Sequence, residues 1–214
     1  PIIYQPNNIT PPPEFIYYEI SEYENYLAIV YRIVWKDEYH PNPLLHSLYS
    51  IFRFFYYGSL KDIEFIEYFV DPSTLNVIEI HFETLKEGSS LDFPEHEFIT
   101  IKNSSGTYVR ITDEREEILK FSPFEDKHVV LQVLTWNHLL SITDKPLGSL
   151  YDLPLRYLTD EEYSKYKMCR RSAGYVKTHE NIVITYVVTL GIMLSLAIIP
   201  NAIYIRFRKT KRGD

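Results

Sequence analysis

The feature that most constrains this chain is an uncharged stretch close to its end. Residues 182–205 are 24 consecutive positions without a formal charge, and a basic cluster follows at once in residues 206–214. The hydrocarbon core of a bilayer, about 30 Å thick, is spanned by roughly 20 apolar residues in a helix. We therefore predict one C-terminal transmembrane α-helix over residues 182–205. The alternative, a helix buried in a soluble core, fits poorly with this length and with the basic residues that follow it.

The distribution of charge predicts which partners the chain has and how it is oriented. The sequence holds 22 basic and 29 acidic residues, of which five and one lie in the tail of residues 206–214, so 17 and 28 remain before it, a net charge of −11. We expect no nucleic-acid partner, because phosphate contacts need clustered Lys and Arg. The basic tail places the C-terminus on the cytoplasmic or interior side and the acidic part outside. A tail-anchored protein facing the cytosol stays open, because residues 167–177 are also basic.

Composition divides the chain into five parts. Residues 1–14 are rich in proline and predict an extended arm. Residues 15–165 predict an acidic, β-rich globular domain, and residues 166–181 a juxtamembrane linker that leads into the transmembrane helix of residues 182–205. The basic tail of residues 206–214 completes the chain. The partners expected from this arrangement are membrane lipid and other protein subunits.

The predicted domain contains mostly strands and one inserted amphipathic helix. Strands are predicted where β-branched and aromatic residues concentrate, over residues 15–20, 26–35, 63–70, 76–84, 97–101, 107–111 and 128–135. Pro43 opens a helical pattern that Gly58 ends, with apolar side chains on one stripe: Leu44, Leu48, Ile51, Phe52 and Phe55. Residues 113–120 predict a short helix, and Thr159 with Glu162 forms a capping box that begins another.

Carboxylate and histidine side chains cluster at four places in the sequence. The loop of residues 37–40 holds two acidic residues and a histidine, Asp62 and Glu64 share one face of a strand, and Glu79, His81 and Glu83 share one face of the next; His138 is the fourth candidate. Carboxylates and imidazoles with this spacing can converge on one divalent metal ion. A half-buried sheet with a solvated polar face produces the same alternation, so both interpretations stay open.

A family resemblance rests on the segment Gly58-Ser-Leu-Lys-Asp-Ile-Glu64, which opens a strand. Three further elements follow it in order, and they are Ile80-His81, Trp136-Asn-His138 and Asp152-Leu-Pro-Leu155. Together they resemble the β-sandwich of the necrosis-inducing-protein and Vps62-like families over residues 26–163. The hallmark of those families is Gly-His-x-His-Asp-Trp-Glu.

The resemblance implies a β-sandwich-like fold and a set of metal ligands. Carried over residue by residue, it makes the candidate ligands Asp62, Glu64, His81 and His138. The chain departs from the hallmark at three positions, because Ser59 and Lys61 replace both histidines and Ile63 replaces the tryptophan. A lysine beside the site opposes a divalent cation electrostatically. The expected fold class is thus mainly β, a β-sandwich-like domain with one inserted amphipathic helix, plus one C-terminal transmembrane α-helix.

The sequence contains no catalytic set with a recognisable spacing, so the predicted function follows from the anchor and the acidic domain. We expect a membrane-anchored, non-enzymatic structural or recognition subunit of a larger surface assembly, either a cell-envelope complex or an enveloped virion. One alternative is a metal-dependent extracytoplasmic domain that binds or hydrolyses a ligand. Another is an accessory subunit of a membrane enzyme complex.

Overall fold

The computed structural model describes residues 1–57 and 60–165, which fold into a mainly β domain. In chain order its elements are β1 (Ile2–Gln5), β2 (Pro13–Glu22), β3 (Leu27–Trp35), α1 (Pro43–Tyr57), β4 (Asp62–Val70), β5 (Val77–Leu85), β6 (His96–Ser104), β7 (Thr107–Ile111), β8 (Glu116–Ile118), β9 (Phe124–Glu125), β10 (His128–Val133), β11 (Leu140–Ile142), β12 (Ser149–Tyr151), β13 (Leu155–Tyr157) and α2 (Asp160–Lys165).

The larger sheet is an antiparallel meander from β2 to β8, with β13 added parallel to the outer edge of β2. Short polar turns join several of the consecutive strands, whereas the segment that contains α1 joins β3 to β4. Between β4 and β5, the Asp71 carboxylate accepts the backbone N–H groups of Ser73 and Thr74 at 2.7 and 3.1 Å, which fixes the turn. The predicted hairpins over residues 63–84 and 97–111 are confirmed.

A second, smaller sheet completes a sandwich-like arrangement. Its order is β11-β10-β1-β12, and β9 pairs with β10. Apolar side chains of both sheets form one core, in which Ile3, Leu131 and Leu140 of the small sheet join Ile66 and Phe82 of the large one. Each of these side chains is almost fully buried, and burial of such a side chain stabilises the fold by about 1.5–3 kcal/mol.

Residues 1–14 are not an extended arm, as the proline content predicted, but part of the globular domain. Strand β1 lies between β10 and β12, with Ile3 opposite Leu131 in a parallel pair and opposite Tyr151 in an antiparallel one. Ile3 and Gln5 are buried. The four residues before Pro6 alternate between half-buried and buried positions, and this short strand period is hidden by the prolines that follow it.

Helix α1 forms where it was predicted, but it is turned with its apolar stripe outward. Asn42 caps it, accepting the N–H groups of Leu44 and Leu45 at 3.0 and 3.3 Å, and Pro43 occupies the first helical position. Leu44 is 70% exposed and Ile51 54%. An amphipathic helix ordinarily buries such a stripe, so something else holds α1 in place.

The short helix predicted over residues 113–120 is wrong. Strand β8 pairs there with β7, placing Ile118 opposite Val109, and a turn closed by the Thr112 N–H and the Arg115 carbonyl at 2.9 Å joins the two strands. Pairing with an available sheet edge decides the structure of this acidic segment. The predicted capping box is confirmed at α2, where Thr159 Oγ1 accepts the N–H of Glu162 at 3.2 Å.

Among the residues that the structure describes, no helix is long and apolar enough to cross a bilayer. The segments predicted as linker, transmembrane helix and basic tail, residues 166–214, lie outside the described residues.

Candidate functional site

A buried cluster of acidic side chains lies beneath α1, and we call Asp37, Glu38, Asp62 and Glu64 the acidic cluster. All four residues are less than a tenth exposed. Asp37 and Glu38 follow the end of β3, and Asp62 and Glu64 lie at the start of β4. The pairing of Trp35 with Asp62 brings the two segments together. Asp62 and Glu64 share a strand face with the fully buried Ile66 because alternate residues of a strand point to the same side.

The cation of the acidic cluster is Arg53, which is 3% exposed. Its Nη1 lies 2.8 Å from Asp37 Oδ1, and its Nη2 lies 3.2 Å from Glu38 Oε1 and 3.8 Å from Asp62 Oδ1. A guanidinium is a rigid fork of donors that suits several carboxylates at once. Arg53 therefore joins α1 to the two acidic segments, and it explains why the apolar stripe of the helix faces outward.

His138 supports the cluster from the other side. Its ring is fully buried, lies stacked on Trp35 with centroids 4.5 Å apart, and its Nδ1 lies 2.7 Å from Asp62 Oδ2. Its backbone has φ 59°, in the left-handed region, within a turn closed by the Thr135 carbonyl at 3.0 Å. Non-glycine residues adopt this conformation infrequently, although histidine does so more often than most.

A hydrogen-bond chain extends this support to the small sheet. Trp35 Nε1 donates to Gln5 Oε1 at 2.9 Å, and Gln5 Nε2 donates to the carbonyls of Ile9 and Pro11 at 2.8 Å each. Every polar group of the Gln5 amide is thereby used. The Gln5–Trp35 and His138–Asp62 hydrogen bonds, linked by the stacking of Trp35 on His138, thus connect strand β1 to the acidic cluster.

Burial and neighbouring charges shift the pKa values of the carboxyl groups of the cluster in opposite directions. Burial acts to raise the pKa of Asp62, but the hydrogen bond and charge of His138, together with Arg53, outweigh it and lower that pKa. Burial and the charge of Asp62 raise the pKa of Glu38 and of Glu64 well above their ordinary value. Asp62 is therefore the ionised partner of His138, and since an ionised carboxylate only accepts, Nδ1 of His138 is the donor.

The cluster also acts on the guanidinium itself. Burial opposes the charged form of Arg53, whereas the charges of Glu38 and Asp62, with those of Tyr49 and Asp37, favour it, and the net effect raises its pKa. Arg53 is thus held in its charged form by the same groups that it joins.

His81 does not lie with the other predicted metal ligands, and the predicted set of four is corrected on this point. His81 pairs across the sheet with Glu67, and Glu67 is out of phase with Asp62 and Glu64 along β4, so it points to the opposite face. There His81 Nδ1 lies 3.7 Å from Glu67 Oε2, and Nε2 contacts the Glu79 carboxylate. We call these three residues the outer-face cluster.

Two other residues singled out from the sequence also lie elsewhere. Lys61, expected to oppose a cation at the site, pairs instead with Glu14 and lies over the Phe15 ring, 5.3 Å from its centroid. His40 packs against Trp136 with ring centroids 4.6 Å apart. The residue that sequence reasoning missed is Arg53, although it is the one formally charged side chain within residues 43–57.

The described residues of the site do not fit a divalent metal ion. Within residues 1–57 and 60–165, no three His, Cys, Asp or Glu side chains are arranged to hold one. The guanidinium lies between the carboxylates that a metal would have to join. Two buried polar atoms beside it, Glu38 Oε2 and His138 Nε2, have no hydrogen-bond partner among the described residues.

No protein-family model matches the sequence, and no curated protein sequence matches it. Several solved structures are similar. NLPPya in complex with mannosamine is 12% identical, with 81% of this chain and 77% of that chain covered and a TM-score of 0.43. The structure titled "Toxin fold for microbial attack and plant defense" is 12% identical over 80% and 77%, with a TM-score of 0.44.

A third structure comes from the causal agent of cocoa's Witches Broom disease. Its Necrosis and Ethylene inducing Protein 2 is 17% identical, with 65% of this chain and 50% of that chain covered and a TM-score of 0.35. The weak, partial resemblance to necrosis-inducing proteins that the sequence indicated is confirmed at this level.

Proposed function

We propose that this chain is a membrane-anchored, non-enzymatic recognition subunit of a larger surface assembly, such as a cell-envelope complex or an enveloped virion. The observation that carries the proposal is the outward-facing apolar stripe of α1, formed by Leu44, Leu48 and Ile51, which we call the outer stripe. These side chains are 70%, 41% and 54% exposed. Apolar side chains presented together on one helix face are typical of a protein-binding surface.

The partner that the outer stripe favours is a protein. Arg53 is turned inward, and the helix holds no acidic residue, so the stripe presents no formal charge. A surface depleted in charge and rich in apolar and aromatic side chains is typical of the centre of a protein interface. The net charge of −11 before the basic tail disfavours contact with an anionic lipid surface.

A neighbouring loop adds exposed apolar side chains to the same region. Leu91 and Phe93 are 62% and 67% exposed. The ring of Trp136 connects this loop to α1, because its Nε1 donates to the Leu91 carbonyl at 3.1 Å and its ring lies 5.8 Å from that of Tyr49. Burying one such side chain contributes about 1.5–3 kcal/mol to association.

The membrane part of the proposal rests on the sequence. The uncharged residues 182–205 supply the transmembrane helix, and the basic residues 206–214 supply its cytoplasmic or interior flank. An accessory subunit of a membrane enzyme complex stays an alternative, in which the predicted span packs against the helices of a partner. The metal-dependent alternative is not favoured, because Arg53 lies among the carboxylates that would bind the ion.

The partner surface is tested by a matched pair of charge substitutions in the full chain. Ile51→Glu lies in the outer stripe, whereas Ile118→Glu lies on the edge strand β8, at a similarly exposed position. We expect the native assembly, isolated in mild detergent and sized by light scattering, to lose this subunit with Ile51→Glu and to keep it with Ile118→Glu. Retention of both variants, or recovery of the wild-type chain as a lone monomer, contradicts the proposal.

The anchor is tested separately. A double substitution, Leu190→Arg with Leu194→Arg, places two charges in the predicted span, each costing about 2.5–3.5 kcal/mol at the centre of a helix in the bilayer. We expect the wild-type chain to stay with membranes after alkaline carbonate extraction and the double variant to be released. The variant Leu190→Ala with Leu194→Ala is the control and stays. A wild-type chain released by carbonate argues against the anchor.

A further inference from the structure

An open cleft of about 230 Å³, which we call the distal cleft, lies between the two sheets. Its lining residues come from both sheets and from the turns beside them, and they are Val77, Tyr108, Ser122, Phe124 and Lys127. Strand β4 begins with Asp62 in the acidic cluster and ends with Val70, just before the turn that leads to Val77. The length of β4 therefore separates the distal cleft from the acidic cluster and from α1.

Two aromatic rings form the apolar walls of the distal cleft. Tyr108 belongs to the larger sheet and Phe124 to the smaller one, and their ring centroids lie 5.4 Å apart with the planes inclined by 44°. Both side chains are partly buried and pack against the core. Aromatic rings attract further rings in stacked or edge-on contacts, and a cavity of about 150 Å³ already holds benzene. The distal cleft is thus large enough for a ligand with one aromatic ring.

The cation of the distal cleft is Lys127, which lies in the two-residue turn between β9 and β10. Glu125 pairs with His128 across this turn, and the backbone φ values of Asp126 and Lys127 are 45° and 68°. Such a turn strongly favours glycine at its second position, because glycine adopts the left-handed region without steric cost. The sequence places an exposed lysine there instead. No carboxylate of the described residues pairs with its ammonium group, so this charge is available to an anion.

We propose that the distal cleft binds a small aromatic carboxylate, with its ring against Tyr108 and Phe124 and its carboxylate on the Lys127 ammonium. An apolar lining with a few polar groups that fix the orientation of the ligand is typical of small-molecule sites. The hydroxyl of Ser122 is already bonded to the backbone of Phe124, so Lys127 is the group that selects an anion. A hydrogen bond between an ammonium and a carboxylate is charge-assisted and therefore stronger than a neutral one.

Binding of para-fluorobenzoate to the full chain, purified in nonionic detergent, tests the proposal by fluorine NMR. We expect saturable line broadening with a Kd of about 1 mM or lower, displacement by unlabelled benzoate, and no broadening by detergent alone. The neutral para-fluorobenzyl alcohol has the same ring but no charge, and we expect it to bind about tenfold more weakly. No saturable binding of the carboxylate, or equal affinity for the alcohol, overturns the proposal.

Lys127→Gly separates the role of the ammonium from that of the fold. Glycine suits the φ of 68° at this position, so we expect the melting temperature to stay or to rise while the affinity for para-fluorobenzoate falls about tenfold. Lys127→Arg keeps the charge and should keep the affinity. Lys145→Met removes an exposed lysine of another turn and is the control. Unchanged binding by Lys127→Gly, or an equal loss with Lys145→Met, overturns the proposal.

Phe124→Leu tests the position of the ligand ring, because leucine keeps an apolar side chain but has no ring to pair with Tyr108. We expect weaker binding of para-fluorobenzoate, and unchanged affinity in a folded variant overturns the proposal. If Phe124→Leu does not fold, Tyr108→Leu makes the same test from the larger sheet. None of these substitutions touches the outer stripe, so their outcome is independent of the proposed recognition function.

Discussion

The acidic cluster beneath α1 and the outer-face cluster around His81 have similar composition but opposite construction. The acidic cluster with its partners Arg53 and His138 draws its groups from four separate stretches of the chain, around residues 37, 53, 62 and 138, and all of them are buried. The outer-face cluster takes Glu67, His81 and Glu79 from two adjacent strands, and the His81 side chain is 19% exposed.

The difference shows what a buried charge requires. In the acidic cluster, each strongly buried charge meets an opposite charge or a donor, through Arg53 and the His138 ring, because an unpaired charge in the interior is costly. In the outer-face cluster, neighbouring strand positions bring the groups together without help from another element. The first arrangement fixes the position of a helix, whereas the second is a local feature of one sheet.

The largest loss of stability is expected when the buried cation of the acidic cluster is removed. Arg53→Met removes the cation of the acidic cluster, and breaking a buried ion pair from one side costs about 3–5 kcal/mol. We expect this loss in the free energy of unfolding, measured by denaturant titration in the absence of divalent ions. Arg115→Met is the control, since Arg115 pairs with Glu87 at 2.6 Å while both side chains stay largely exposed, and exposed pairs contribute about 0–1 kcal/mol. Equal losses of unfolding free energy in the two variants would show that the ion pairs of Arg53 are no stronger than the exposed pair of Arg115.

A smaller loss is expected from Asp62→Asn. The amide keeps the shape of the side chain but loses the charge that both Arg53 and His138 meet. Hydrogen bonds to charged groups contribute about 1.5–3 kcal/mol each, so we expect a destabilisation of about that size. A double-mutant cycle with His138→Gln measures the coupling between the two side chains. Additive effects of the two substitutions argue against the Asp62–His138 pair.

Local patterns predicted the sheets and the helices better than they predicted contacts between them. The hairpin around Asp71 and the capping box at Thr159 follow from neighbouring residues, and the structure contains both. Strand β1 was missed, because its pairing with β10 joins residues more than a hundred positions apart. No local signal in the first five residues specifies that partner.

The candidate site was predicted in part for the same reason. Asp37, Asp62 and His138 were singled out by residue type, and they do converge. His81 was included among the ligands through the family resemblance, and strand periodicity placed it on a polar face. The register places that face opposite Asp62. The role of Arg53 could not be predicted from the sequence, because a single arginine in a helix normally faces solvent. The orientation of α1 depends on the carboxylates that Arg53 contacts, and these lie in other segments of the chain.

Replacement of Glu64 is expected to stabilise the protein, and the size of this effect depends on pH. Its pKa is raised in the folded protein, chiefly by burial, so the folded state binds this proton more tightly than the unfolded state. The corresponding stability is present below the ordinary glutamate value of about 4.3 and is lost as the pH rises above it. We expect Glu64→Gln to gain melting temperature relative to the wild type as the pH increases toward neutrality.

Asp62 provides the matched control for that experiment, because its pKa is lowered. Its contribution is present above the ordinary aspartate value of about 3.9 and is lost as the pH falls further. Near neutral pH, Asp62→Asn should therefore melt at a lower temperature than the wild type, and Glu64→Gln at a higher temperature. Both differences should become smaller as the pH falls. Parallel pH profiles for the two variants contradict the opposite shifts.

The smallest effect is expected in the outer-face cluster. His81→Gln keeps a polar side chain beside Glu67 and Glu79 and removes the possibility of a charged imidazole. His81 and Glu79 are each about a fifth exposed, and the contact with the buried Glu67 is long, at 3.7 Å. Both interactions are therefore weak, close to surface pairs, which contribute about 0.2–1 kcal/mol. We expect a loss within that range in denaturant titration. A loss as large as that of Arg53→Met shows that the two clusters act together and that the sheet does not separate them.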